Sequence, residues 1–91
     1  MTTEVSDNTA AQRYELAVDG QIVFALYRRD GSVVAIRHVE APVALRGTGA
    51  ASRLMDGIMA IARRDHLSVT PLCSYARWWL QRHPEHRDLI A

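Results

Sequence analysis

Across Val43-Ala44-Leu45-Arg46-Gly47-Thr48-Gly49-Ala50-Ala51 a strand-like run leads into a glycine turn and an amphipathic helical pattern leaves it. A strand that turns through two glycines into a helix restricts the chain to folds in which helices pack on a sheet. Glycine permits a tight turn and a close approach of backbone to a ligand. The first N–H groups of the helix lack intrahelical partners, and they lie at the positive end of its dipole. The layout is that of an anion cradle, although a Gly-x-Gly turn by itself serves equally well as a plain loop.

The segments around the turn extend the pattern. Apolar residues alternate from Tyr14 to Val18, and Asp19-Gly20 follows, the strongest two-residue hairpin signal. A second strand is expected from Gln21 to Arg28, a turn at Asp30-Gly31, and a third strand from Ser32 to Glu40, rich in Val and Ile. Pro42 stops it, since proline has no N–H for the ladder. From Ala50 to His66, Leu54, Ile58 and Ile61 recur at three- and four-residue steps and Met55, Met59 and Ala62 widen the stripe. Arg63, Arg64 and His66 suit the negative end of that helix. Leu67 to Leu72 reads as a short strand beside the meander. Ser74 is the expected N-cap of a second helix from Tyr75 to about Arg82, with Tyr75, Trp78 and Trp79 sharing a face. Pro84 biases His83 away from helical geometry and ends it. The expected architecture is α/β (α+β): a three-strand antiparallel meander, a helix, a further strand and a second helix.

Ninety-one residues suffice for one core, so any site lies on that core. Residues 1–12 are polar and read as a flexible tail, leaving a single domain over 13–91. The tail lacks the basic start and apolar centre of a signal peptide, and no apolar run approaches the roughly 20 residues that span a bilayer. A soluble, cytoplasmic protein without membrane contact is the expectation. The one cysteine, Cys73, cannot form an intramolecular disulfide and suits a reducing compartment. A formal charge of +1 does not suggest the dense positive surface of a nucleic-acid binder.

Neither common nucleotide motif fits the glycine turn. The lysine and Ser/Thr of the P-loop are absent, and Ser52 replaces the third glycine of G-x-G-x-x-G. What is present is Arg46-x-x-Gly49-x-Ala51, and here the chain resembles the GNAT superfamily of acyl-CoA-dependent N-acyltransferases, whose signature is Arg or Gln, two residues, Gly, one residue, then Gly or Ala. Val69-Thr70-Pro71-Leu72-Cys73-Ser74-Tyr75 with His83-Pro84-Glu85 resembles the small single-domain GNAT-like proteins of about this length. The resemblance runs from about Tyr14 to Leu89. It implies acetyl-CoA or another acyl-CoA as donor, its pyrophosphate held by Leu45, Arg46, Gly47, Thr48, Gly49, Ala50 and Ala51, and an amine as acceptor.

Cys73, just before the second helix, lies where N–H groups and the dipole favour a thiolate. It is suited to accept an acyl group, or to protonate the departing CoA thiolate; as a small buried hydrophobe it is equally ordinary. Tyr75 is either the general acid, as a tyrosine in this region of larger family members is, or a packing partner of Trp78 and Trp79. His38 and Glu40 alternate with Val34 and Ile36, so all four are expected on one face, where either polar group could deprotonate an incoming ammonium. A solvated strand end explains Glu40 as well, and a half-buried hydrogen bond explains His38. Cys73, His83 and His86 match no strong zinc spacing, so no metal is expected. Arg77, Arg82 and Arg87 fit CoA phosphates or a solvated helix face.

Two functions are compatible with these residues: acyl-CoA-dependent N-acetyltransfer to an amine, and a non-catalytic CoA-binding module or small interaction domain on the same fold. The chain lacks the N-terminal helical region that builds much of the acceptor site in larger family members.

Overall fold

The computed structural model describes residues 4–91. Asp19 and Gly20 carry φ of 51° and 76°, left-handed at both central positions, so the loop matches the twist of the strands it joins. It pairs β2 (Arg13–Val18) with β3 (Gln21–Asp30), Val18 opposite Gln21. Gly31, with φ of 60°, opens the next two-residue loop to β4 (Val33–Glu40). After Pro42 a 3-10 turn at Val43–Leu45 leads through the glycines into α1 (Ala50–Arg64). The chain then adds β5 (Ser68–Pro71), which runs parallel to β4, and α2 (Ser74–Gln81). A 3-10 segment at Pro84–Leu89 returns Ile90 to a parallel bridge with Val69. The expected meander, helix, strand and helix are all present.

The expected tail is where the chain departs first. Ser6–Asn8 forms β1, antiparallel to β2, and extends the sheet to five strands in the order β1-β2-β3-β4-β5. Val5 is buried, Tyr27 Oη donates to Asp7 Oδ1 at 2.6 Å, and Arg53 on α1 makes a forked contact to Glu4 at 2.8 and 2.9 Å. Long-range partners therefore order a stretch whose own composition is polar. The first three residues of the expected tail lie outside the described residues.

The second departure is a β-bulge. Pairing passes from Leu26 opposite His38 to Tyr27 opposite Ile36, so Arg37 is one extra residue on β4. A one-residue slip exchanges the faces of a strand. Val34 and Ile36 face the core, whereas His38 and Glu40 emerge with their partners Leu26 and Phe24 on the opposite face. The expectation that all four share one face is thereby corrected.

The stripe of α1 meets the sheet as its spacing requires: Leu54, Met55, Ile58, Met59, Ile61 and Ala62 are all buried, together with Ala76, Trp79 and Leu80 of α2. His66, at φ of 56°, ends α1, and Leu67 N–H closes back on Ala62 O at 2.8 Å. The N-cap of α2 is Cys73 rather than Ser74. Cys73 has extended backbone angles and its Sγ accepts from Ala76 N–H at 3.4 Å, while Ser74 is already helical. His83 is non-helical, as the proline after it demands.

Candidate functional site

The glycine turn is shaped by conformation, not crowding. Gly47 and Gly49 sit at φ of 81° and 84°, and a Cβ at either would meet nothing within 4 Å. An L-residue there is strained although space is open. Arg46 N–H bonds Val43 O and Thr48 N–H bonds Leu45 O, while Thr48 Oγ1 donates to Leu45 O at 2.5 Å. Among the described residues the N–H groups of Gly47, Gly49, Ala50, Ala51 and Ser52 have no acceptor. Five orphan donors cluster where the α1 dipole is positive.

Opposite this turn stands α2, and between them lies a cleft of about 450 Å³. Its walls include Ala41, Arg46 and the glycines on one side and Tyr75, Trp78, Trp79 and His83 on the other. Trp79 is 1% exposed and donates Nε1–H to Ser52 Oγ at 2.8 Å, which fixes α2 against the first turn of α1. The His83 ring stacks on Trp79 at 3.7 Å, and its Nδ1 lies 2.7 Å from Trp79 O. A carbonyl only accepts, so Nδ1 carries the proton and Nε2 is the ring's remaining nitrogen. Among the described residues no carboxylate lines the cleft, and the Arg46 side chain makes only a 3.4 Å contact, to Ala41 O. The surroundings favour an anion with apolar parts.

Of the candidate site residues, Leu45, Arg46, Gly47, Gly49, Ala50, Ala51 and Tyr75 come together in this cleft, whereas Thr48 does not line it and turns its hydroxyl back onto Leu45 O. Burial, with a smaller contribution from Asp56, pushes the Tyr75 phenol above its ordinary range, so the group is neutral near pH 7. Cys73 does not line the cleft. It sits where the sheet divides: Leu72 N–H and Cys73 N–H both bond Ile36 O, and pairing of β4 with β5 ends at Ile36 opposite Pro71. Beyond Ile36, β4 runs on without β5 beside it. His38 and Glu40 lie on the far face, 52% and 55% exposed, with Nε2 and Oε1 3.4 Å apart. Glu40 lines a separate depression with Ile22, Phe24 and Arg46. Among the described residues no group of three or more His, Cys, Asp or Glu could hold a metal.

Sequence reasoning passed over His83 as a cleft residue and Ser52 as the anchor of Trp79. The aromatic spacing on α2 was visible, but which turn it would face was not.

A family model described as GCN5-related N-acetyl-transferase matches residues 13–89, most of the chain. No curated protein matches the sequence. The fold is similar to the solution NMR structure of a GCN5-like protein from Staphylococcus aureus, with a TM-score of 0.68 and 19% identity over 99% of this chain and 89% of that one.

Proposed function

This chain belongs to the GCN5-related N-acetyltransferase family, and from that premise we propose that its single domain transfers an acetyl group from acetyl-CoA to an amine. The observation that carries the donor side is the set of five acceptor-free N–H groups at the glycine turn, opening on a cleft without carboxylates. Such a set suits a diphosphate, with Arg46 as the adjacent cation. The rest of the donor then runs past Ala41 and Tyr75 toward the point where β4 and β5 part, which sets its thioester near Cys73.

The acceptor approaches from the other face. There His38 and Glu40 take the proton that an ammonium must lose before its nitrogen can attack. The nitrogen adds to the thioester carbonyl, and the oxyanion needs donors such as the N–H groups of β4 beyond its last β5 partner. Collapse breaks the C–S bond, and the leaving thiolate takes a proton from Cys73 or from the neutral Tyr75 phenol. In a two-step variant Cys73 Sγ attacks first as the thiolate, and the C–S bond to CoA breaks as the acetyl group moves to Sγ. The departing CoA thiolate takes a proton from Tyr75, and the amine then takes the acetyl group and releases Cys73 as its thiolate. A free thiol so used suits a reducing, cytoplasmic setting. Among the described residues no helix is long and apolar enough to cross a membrane.

A second reading, a CoA-binding module without chemistry, is favoured by one observation: Cys73 spends its sulfur as a helix cap, outside the cleft. Intact mass after incubation with acetyl-CoA, for the native protein and Cys73→Ala, separates the two. An adduct of about 42 Da, one acetyl group, that is lost in the variant establishes the two-step route. Amine-dependent CoA release without an adduct establishes direct transfer. If no amine in a broad panel releases CoA and no adduct forms, the catalytic reading fails.

A further inference from the structure

We infer that Trp78, with Arg82 stacked on it, is a platform for the purine ring of the donor's nucleotide end. The two tryptophans of α2 are adjacent and treated oppositely. Trp79 is buried and hydrogen-bonded, whereas Trp78 is 48% exposed although it lines the cleft. A solvated helix face gains nothing from an indole, which leaves a large apolar plane in water. The plane is held in place by its neighbours. The Tyr75 ring leans on it at 5.8 Å, and the Arg82 guanidinium lies 4.9 Å from the ring centroid.

Arg82 has no carboxylate partner among the described residues, so its charge is balanced by no ion pair and leans on the Trp78 ring. A π-surface carrying a cation with no carboxylate partner, at the edge of the same cleft as a cradle of N–H groups, matches a purine nucleotide: the base stacks on the guanidinium–indole pair, and phosphate meets positive charge. A flexible aliphatic amide arm has no comparable use for a plane. The inference rests on the proposed donor reading and adds to it which end of the donor α2 recognises.

Adenosine 3′,5′-diphosphate and 4′-phosphopantetheine divide CoA into the part with the purine and the part without it. Calorimetry and tryptophan fluorescence on the native protein, Trp78→Phe and Trp78→Ala test the assignment. Base stacking is worth about 1–3 kcal/mol, or roughly 5- to 150-fold in affinity. Trp78→Ala is expected to weaken CoA and adenosine 3′,5′-diphosphate by a similar factor of about tenfold while leaving phosphopantetheine within about twofold; Trp78→Phe retains most of the affinity. CoA should quench native fluorescence and phosphopantetheine should not. Unchanged CoA affinity in Trp78→Ala overturns the inference, as does an equal loss for both fragments. If the native protein does not bind CoA at all, the donor reading itself fails, a result distinct from either.

Discussion

The cleft face and the outer face of this molecule are built to different standards. In the cleft, Trp79 is buried, anchored to Ser52 and stacked under His83, and the glycine turn is held by Arg46, Thr48 and the helix behind it. On the outer face His38 and Glu40 share one 3.4 Å contact and are about half exposed. The groups proposed to bind the diphosphate are fixed in advance, which reduces the ordering cost of binding. Groups that would only relay a proton have been left in water, where a long or poorly aligned contact can still serve once substrate is present.

The largest difference between the faces should appear in stability. Trp79→Ala removes a buried indole and the link from α2 to α1, and is expected to cost about 3–5 kcal/mol by chemical denaturation. His38→Ala combined with Glu40→Gln should stay within about 0.5 kcal/mol. Equal losses would erase the contrast. Next in size, Ser52→Ala leaves the Trp79 N–H buried without its acceptor, at about 1–3 kcal/mol, unless Trp79 shifts. Gly49→Ala forces a Cβ into left-handed geometry at about 1–2 kcal/mol; the free turn relaxes away from that strain and must be driven back to bind, so CoA affinity should fall by up to roughly 30-fold. In the same titration the His38 and Glu40 variants should bind CoA as the native chain does, and show their loss only in turnover with amine.

The response to high pH belongs to neither face and serves as their control. Burial, then the Asp7 carboxylate, pushes the Tyr14 phenol up to about 12. Tyr27 is raised too, by burial and by its hydrogen bond to Asp7. A phenol held neutral by folding contributes stability that is whole below its unfolded value near 10 and is lost as pH rises toward the folded value. The urea midpoint should therefore fall between about pH 10 and 12, and less steeply in Tyr14→Phe.

The cleft face was also the more legible one. Asp19-Gly20, the stripe from Leu54 to Ala62 and the break at Pro84 are local signals, and each forms the element its spacing requires. The outer face turned on one residue: with Arg37 bulged, alternation from Val34 to Glu40 no longer assigns sides, and no local pattern reveals an inserted residue in a strand. β1 was hidden for a different reason, since Glu4 and Asp7 find their partners 49 and 20 residues away. Cys73 displaced Ser74 as the cap because the chain leaves β5 still extended at 73, a consequence of its bond to Ile36 O. His83 entered the cleft through its stack on Trp79, a contact set by tertiary packing.

Titration of the native protein with CoA and with pantetheine, which lacks both the diphosphate and the nucleotide, tests most directly whether the cleft holds the donor by its phosphate end. Saturable binding of CoA with pantetheine at least about a hundredfold weaker, a difference of some 2.7 kcal/mol, is the predicted result. Equal affinity for the two, or no binding of CoA, would contradict it.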